Sequence, residues 1–271
     1  MSEKKSGEGP NLSFMDHLRE LRRRLWIGLV LVFIAVAVAF VFRSTIIHFL
    51  IQPFIVAWDM VEGLPEKPSL SYMNPLEFFL VDLKVALLSG IFCGLPFLLW
   101  QVWLFVAPGL YRKEKKYAYP FLLLGYPLFF GGAAFCYYVI LPMVFQFGFS
   151  YTQKFAGTMS EDIVINPLIM IREYAAVTIK LLMGFGIAFE LPLAIVILTL
   201  LGIVNWKILL RFSKYFLVLA FVIGAVLTPP DVVSQLFLAA PLIVLYFASV
   251  LVSFILRPGT GEEKKRKKAK K

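Results

Sequence analysis

Residues 180–203 read KLLMGFGIAFELPLAIVILTLLGI. The run is apolar almost throughout, and it exceeds the roughly 20 residues that a helix needs to cross a hydrocarbon core about 30 Å thick. One carboxylate, Glu190, stands near its middle, with Pro192 two residues on. An acid at the centre of a membrane helix costs about 2.5–3.5 kcal/mol on insertion scales. A sequence that keeps one there has a use for it, and the rest of the chain supplies the context.

The chain has 271 residues, 60% hydrophobic and only 16% charged. A soluble domain carries about 45–50% apolar and about 25% charged residues. The apolar excess lies in long runs separated by short charged stretches, which is the membrane-helix pattern. Six runs stand out, at 25–42, 85–107, 119–147, 179–201, 215–228 and 234–256. The expected fold is an all-α integral membrane protein, with residues 1–256 as one six-span domain. The tail 257–271 is too charged to fold alone and is expected to be disordered. The first run, at 18 residues, is longer than the roughly 7–15 of a secretory signal core, and no small-residue cleavage site follows it, so it reads as a retained span. The third run holds Pro120, Pro127 and Pro142; its 29 residues fit one tilted or bent span, since two would need about 40. The fifth run is short. As a helix its 14 residues rise about 21 Å, which predicts local thinning of the bilayer. Pro96, Pro127, Pro142 and Pro192 fit bent helices and a concave bundle, although any one of them also fits as an ordinary membrane-helix proline.

Orientation follows from Lys and Arg. Of 27 such residues, 21 fall before the first run, in 112–116, in 207–214 and in the tail, all on one side of a six-span chain. The other side carries Arg43, Lys67, Lys84, Lys154, Arg172 and Lys180. Positive residues favour the cytoplasm, so both termini are expected there. The net charge of +10 sits at the termini and between apolar runs, which argues against nucleic acid as its partner. Two cysteines and two histidines, all well separated, offer neither a disulfide framework nor a metal site. No phosphate loop or nucleophile motif is present. The chain does not read as an enzyme, and no cofactor is expected.

The connections 43–84 and 148–178 then lie outside. STIIHFLIQPF, residues 44–54, reads as an interfacial helix ended by Pro53, with His48 as an interfacial polar residue. In NPLE, Asn74 can cap a helix, Pro75 suits its first position, and Glu77 can close a capping box. NPL at 166–168 repeats the Asn–Pro start. In TPPD, Thr228 is the cap and Asp231 the third helical position.

Two cytoplasmic stretches hold isolated acids. SFMDHLRELRRRL, residues 13–25, begins with a Ser13–Asp16 capping box and puts Phe14, Leu18, Leu21 and Leu25 on one helical face. Glu20 lies there among Arg19, Arg22, Arg23 and Arg24. Paired with Arg24 it is an ordinary i,i+4 contact worth a few tenths of a kcal/mol. In WQVWLFVAPGLYRKEKK, residues 100–116, Glu114 is the only acid of its loop, and it reads equally as a solvated charge. The alternative is that the two carboxylates bind a cationic peptide. Arginine would suit them, because its planar fork matches a carboxylate two-pronged.

HLRELR at 17–22, NPLEFFLVDLK at 74–84, QVWLFVAPGLYRKEK at 101–115, FGIAFELP at 185–192 and TPPDVVSQ at 228–235 occur in that order across six spans. In these motifs the chain resembles the TatC family, the multispanning core of the twin-arginine protein translocase. The resemblance implies a protein of the bacterial inner membrane that recognises twin-arginine signal peptides and moves folded cargo outward on the proton-motive force. It implies single-span partners, TatA and TatB, and self-association in a larger complex. By the same resemblance, Glu20 and Glu114, beside Arg22 and Phe105, are the signal-binding residues. Glu190 and Gln101 are the intramembrane polar residues that dock a partner, and Pro53, Pro96 and Asp231 match positions of shape or partner contact. The basic tail has no counterpart in the family pattern.

For Glu190 two readings stand. It is tied by hydrogen bonds to a neighbouring helix, or it is a polar dock, open on one face, for a polar group of a partner's span. Asp231 can cap its helix and also touch a partner. A rival class is a secondary transporter with Glu190 as proton carrier, but the halves show no convincing repeat of the kind such folds carry. Another is a passive scaffold.

Overall fold

The structure, a computed structural model, describes residues 14–106, 112–159, 167–200, 202–227 and 232–255. These are nearly all helical. Helix α1 is Phe14–Val41, α2 Arg43–Asp59, α3 Pro75–Val106 and α4 Arg112–Phe135. One π-helical turn, Cys136–Ile140, leads from α4 into α5, Leu141–Met159. Then come α6 Ile171–Phe189, α7 Leu191–Leu200, α8 Trp206–Leu227 and α9 Val232–Ile255. Six stretches are long and apolar enough to cross a membrane: Leu18–Val41, Pro75–Val102, Leu123–Phe155, Ile171–Leu200, Trp206–Val226 and Val232–Ile255. The all-α, six-span fold is as expected from the sequence.

The helices begin earlier than the apolar runs do. A charged residue ends a run of hydropathy without ending a helix, and the caps set the true start. At α3 the Glu77 amide donates to Asn74 Oδ1 at 2.8 Å, and the Met73 amide donates to Glu77 Oε2 at 2.7 Å. This is the reciprocal box expected there, with Pro75 at the first helical position. At α8 the Ile208 amide donates to Asn205 Oδ1 at 3.0 Å. Lys207, Arg211 and Lys214 then recur at helical spacing along one edge. The fifth span is therefore the shortest of the six, but at 21 residues it rises about 31 Å. The thinning expected from a 14-residue run is not needed.

Two prolines behave differently from expectation. Helix α2 does not end at Pro53; it continues to Asp59 with Pro53 buried inside it. Proline removes the N–H that would bond the carbonyl four residues back, here Phe49. The Tyr137 hydroxyl takes that place, donating to Phe49 O at 2.7 Å, and the Tyr174 hydroxyl donates to Leu50 O. Pro167, by contrast, does not start a helix. Residues 167–169 are non-helical, and α6 begins at Ile171 after an extended Met170. The reason lies in a single parallel bridge between Ser71 and Met170. The Ser71 amide donates to Ile169 O at 2.8 Å, and the Ile171 amide donates to Ser71 O at 2.9 Å.

The bend expected in the third span is the π-helical turn. The Leu141 amide reaches back five residues to Cys136 O. Pro142 follows at once, and its ring would crowd the Tyr138 carbonyl in a regular helix. The wider turn makes room for it.

Packing follows close backbone approach. Helix α1 lies almost wholly against α3. A Cβ on Gly90 would fall 2.3 Å from Val36 Cα, and one on Gly94 would fall 2.8 Å from Val32 Cα. The Gly-x-x-x-Gly spacing is what lets these backbones touch, and dispersion rather than burial from water holds such a seam in lipid. Helices α4 and α6 pack along a second seam, and α8 pairs with α9. In that pair Phe216 stacks on Tyr246 at 4.1 Å between ring centroids, and the Tyr246 hydroxyl donates to Leu209 O at 2.7 Å.

Candidate functional site

The α1–α3 seam fixes which ends of the helices meet. Gly28 opposes Leu98, Val32 opposes Gly94 and Val36 opposes Gly90, so the two helices run antiparallel. The start of α1, with Glu20 and Arg22, therefore lies at the same end as the last turn of α3, with Phe105. Arg22 is exposed and Phe105 is half-buried. The Arg24 guanidinium donates to Glu20 Oε1 from Nε at 2.9 Å and from Nη2 at 2.6 Å. The helix-pair reading of Glu20 is thus realised on one oxygen, while Oε2 remains able to accept. Glu114 belongs to the first turn of α4, eight positions beyond Val106. Its side chain lies outside the described residues, as do Ser13, Thr228 and Asp231. Asp231 immediately precedes the first residue of α9.

Glu190 occupies a second place. It is the residue at which the fourth span breaks, between α6 and α7. The Glu190 amide donates to Ile187 O at 3.0 Å, three residues back, and Glu190 O accepts from the Ala194 amide at 2.9 Å. Because the span starts at Ile171, Glu190 lies well past its midpoint by count. Ten residues, about 15 Å, still separate it from Leu200. That is half the thickness of a hydrocarbon core of about 30 Å.

The carboxyl faces a small cavity lined by Pro96, Leu99 and Trp100 of α3, Gly125 and Tyr126 of α4, and Leu193 of α7. Gly125 leaves the room: a Cβ there would stand 3.2 Å from Leu193 Cδ2 and 3.5 Å from Glu190 Oε2. Among the described residues, no side chain hydrogen-bonds the Glu190 carboxyl. Of the two readings of Glu190, the tie to a neighbouring helix is the one not realised. A half-buried carboxyl with no partner can accept a hydrogen bond, or donate one when protonated, from a group arriving in this niche.

The structure thus gathers Pro96 with Glu190. Gln101 is half-buried one position beyond Trp100 and does not line the niche, while Pro53 sits apart in α2. Sequence reading missed Trp100, Gly125 and Tyr126 as walls of the niche, and Gly90 and Gly94 as the seam that aligns α1. The Gly-x-x-x-Gly spacing at 90–94 was the available signal for the seam. Nothing in the sequence marked Gly125.

Comparison with known proteins agrees along nearly the whole chain. Residues 16–241 match the family model TatC, Sec-independent protein translocase protein. The Sec-independent protein translocase protein TatC of Koribacter versatilis is 36% identical over 95% of this chain and 90% of its own length. That of Aquifex aeolicus is 35% identical over 94% and 98%. A crystal structure of the twin arginine translocase receptor TatC superposes with a TM-score of 0.72 at 34% identity, covering 88% of this chain and 98% of that one.

Proposed function

Because the chain belongs to the TatC family of Sec-independent protein translocase proteins, we propose that it is the receptor core of a twin-arginine translocase in a bacterial inner membrane. The observation that carries the proposal is the likeness to a solved twin-arginine translocase receptor over 98% of that receptor's length. Both ends of the chain face the cytoplasm, a reading supported by the 21 of 27 basic residues on that side.

The signal peptide is recognised at that face. Glu20 and Glu114 receive the arginine pair, and Arg22 and Phe105 border the site. Guanidinium suits these carboxylates better than ammonium does, since its fork meets both oxygens of one acid. Helix α1, clamped to α3 along the glycine seam, presents Glu20 on a rigid support. The incoming arginine shares Glu20 with Arg24, whose two bonds fall on Oε1 and leave acceptor capacity on both oxygens. Glu190 and Gln101 form the intramembrane dock for the single spans of TatA- and TatB-type partners, with Pro96 shaping the niche. Pro53 and Asp231 act in shape and assembly, and further copies of the chain associate in a larger complex. Export of folded cargo draws on the proton-motive force. The open carboxyl of Glu190 supports the docking role, because an acid already satisfied within the chain would have nothing to offer a partner.

The test is signal-peptide affinity in detergent at fixed salt, for wild type, Glu20→Ala, Glu114→Ala and the double variant. A charge-assisted contact is worth about 1.5–3 kcal/mol, so each single loss weakens binding roughly 10- to 150-fold. Partial exposure draws the effect toward the lower figure. Lysines in place of the signal's arginines weaken binding as well. An unchanged affinity in the double variant would place the twin-arginine site elsewhere.

A further inference from the structure

A cavity of about 520 Å³ opens between the first halves of α3 and α6, far from Glu190. Its floor is apolar, with Leu80 and Leu88 on one wall and Ala176 and Ile179 on the other. Each wall also contributes a cation, Lys84 from α3 and Arg172 from α6. We propose that this groove binds an anionic phospholipid, its phosphate held between Lys84 and Arg172 and an acyl chain laid along the apolar floor.

Of the acids nearby, Glu77 and Asp82 already accept hydrogen bonds. Glu77, which also lines the groove, accepts the Met73 amide in the capping box. Asp82, two residues before Lys84, accepts from Arg43 Nε at 2.7 Å. Among the described residues, no carboxylate pairs with Lys84. Arg172 has only Glu173, at 3.9 Å and with both side chains exposed, a contact of little worth. Lys84 lies nine residues into α3, about 14 Å from its start. An ammonium at that depth needs an anion or an upward reach along its aliphatic stem.

Charge and the apolar floor decide the occupant. An acyl chain is a single file of methylenes that fits along that floor. Ala175 and Ala176 face the groove where larger residues would close it. A phosphate accounts for a cation on each wall, which a purely apolar partner would leave unpaired.

The experiment extracts the full chain from vesicles of equal phosphatidylglycerol and phosphatidylcholine and counts retained lipid by native mass spectrometry. Wild type retains phosphatidylglycerol in preference. Lys84→Ala and Arg172→Ala each lower that retention about fivefold, in line with about 1 kcal/mol per cation near anionic lipid. Lys84→Arg preserves it, and Ala176→Phe, which fills the floor, expels both lipids. If either alanine variant does not extract as a single species, Lys84→Gln and Ala176→Phe carry the test. A photoreactive residue at Leu80 in native membranes gives a lipid adduct. Equal retention of the two lipids, retention indifferent to Lys84 and Arg172, or a Leu80 adduct to a protein overturns the proposal.

Discussion

Among the prolines within the helices of this bundle, the chain treats two in opposite ways. At Pro53 the gap in α2 is sealed: Tyr137 donates to Phe49 O, Tyr174 donates to Leu50 O, and the helix runs through unbroken. Phe49 and Tyr137 also stack at 4.3 Å. At Pro192 the helix stops, the Glu190 amide turns back three residues, and the carboxyl beside the break finds no hydrogen-bond partner among the described residues. At the joint a neighbouring helix supplies a donor to the freed carbonyl; at the break the Glu190 amide approaches Ala188 O within the chain, and no described residue of a neighbouring helix supplies a partner to the carboxyl. Satisfied polar groups hold architecture, and unsatisfied ones wait for a ligand.

The comparison breaks or sharpens most sharply at Glu190. Glu190→Leu is expected to abolish export of a folded reporter, while insertion and signal binding persist and thermal stability in detergent does not fall. Glu190→Gln keeps much of the export, since it preserves hydrogen bonding. A Glu190→Leu protein that unfolds, or one that exports normally, would mean the niche is structural after all. The next effect is at the sealed joint. Tyr137→Phe orphans the Phe49 carbonyl, which Pro53 leaves without a backbone donor, and costs about 1–3 kcal/mol of stability, read by thermal unfolding, while export per folded molecule stays near wild type. Tyr174→Phe costs less, because Pro53 does not remove the Phe54 N–H that stands four residues beyond the Leu50 carbonyl in the same helix. The smallest effect is Pro53→Ala, within about 1 kcal/mol of wild type, since it returns the N–H that Tyr137 replaces. In that background the penalty of Tyr137→Phe should shrink. A double-mutant cycle measures the coupling, and additivity of the two changes would deny that the hydroxyl seals the proline gap.

Much of this was legible in the chain. Six apolar runs gave six crossings, and the Asn74–Glu77 box appeared as drawn because capping is a local matter of four residues. Glu190 announced itself by standing in an apolar run. What stayed hidden was the work of distant residues. Pro53 read as a terminator because its substitute donor comes 84 positions later, from Tyr137. Pro167 read as a helix start because the pairing with Ser71, which draws the backbone into an extended path, joins segments almost 100 residues apart. Span limits were set too late where Lys84 and Lys214 bounded apolar runs that their helices did not respect. Glu190 could be singled out, but Gly125, which opens the space before it, looked like any other glycine.

The small bridge between Ser71 and Met170 also works as a parity check. Two residues joined by backbone hydrogen bonds must lie on the same face of a bilayer, so the chain between them crosses an even number of times. It does so twice, through Pro75–Val102 and Leu123–Phe155. One crossing, Leu18–Val41, precedes the bridge, and three follow it. One and three are both odd, so in the proposed six-span topology the start of α1 and the end of α9 share one face, opposite the bridge. Two hydrogen bonds thus agree with the even crossing count that the proposed topology requires between Ser71 and Met170, without counting a single charge.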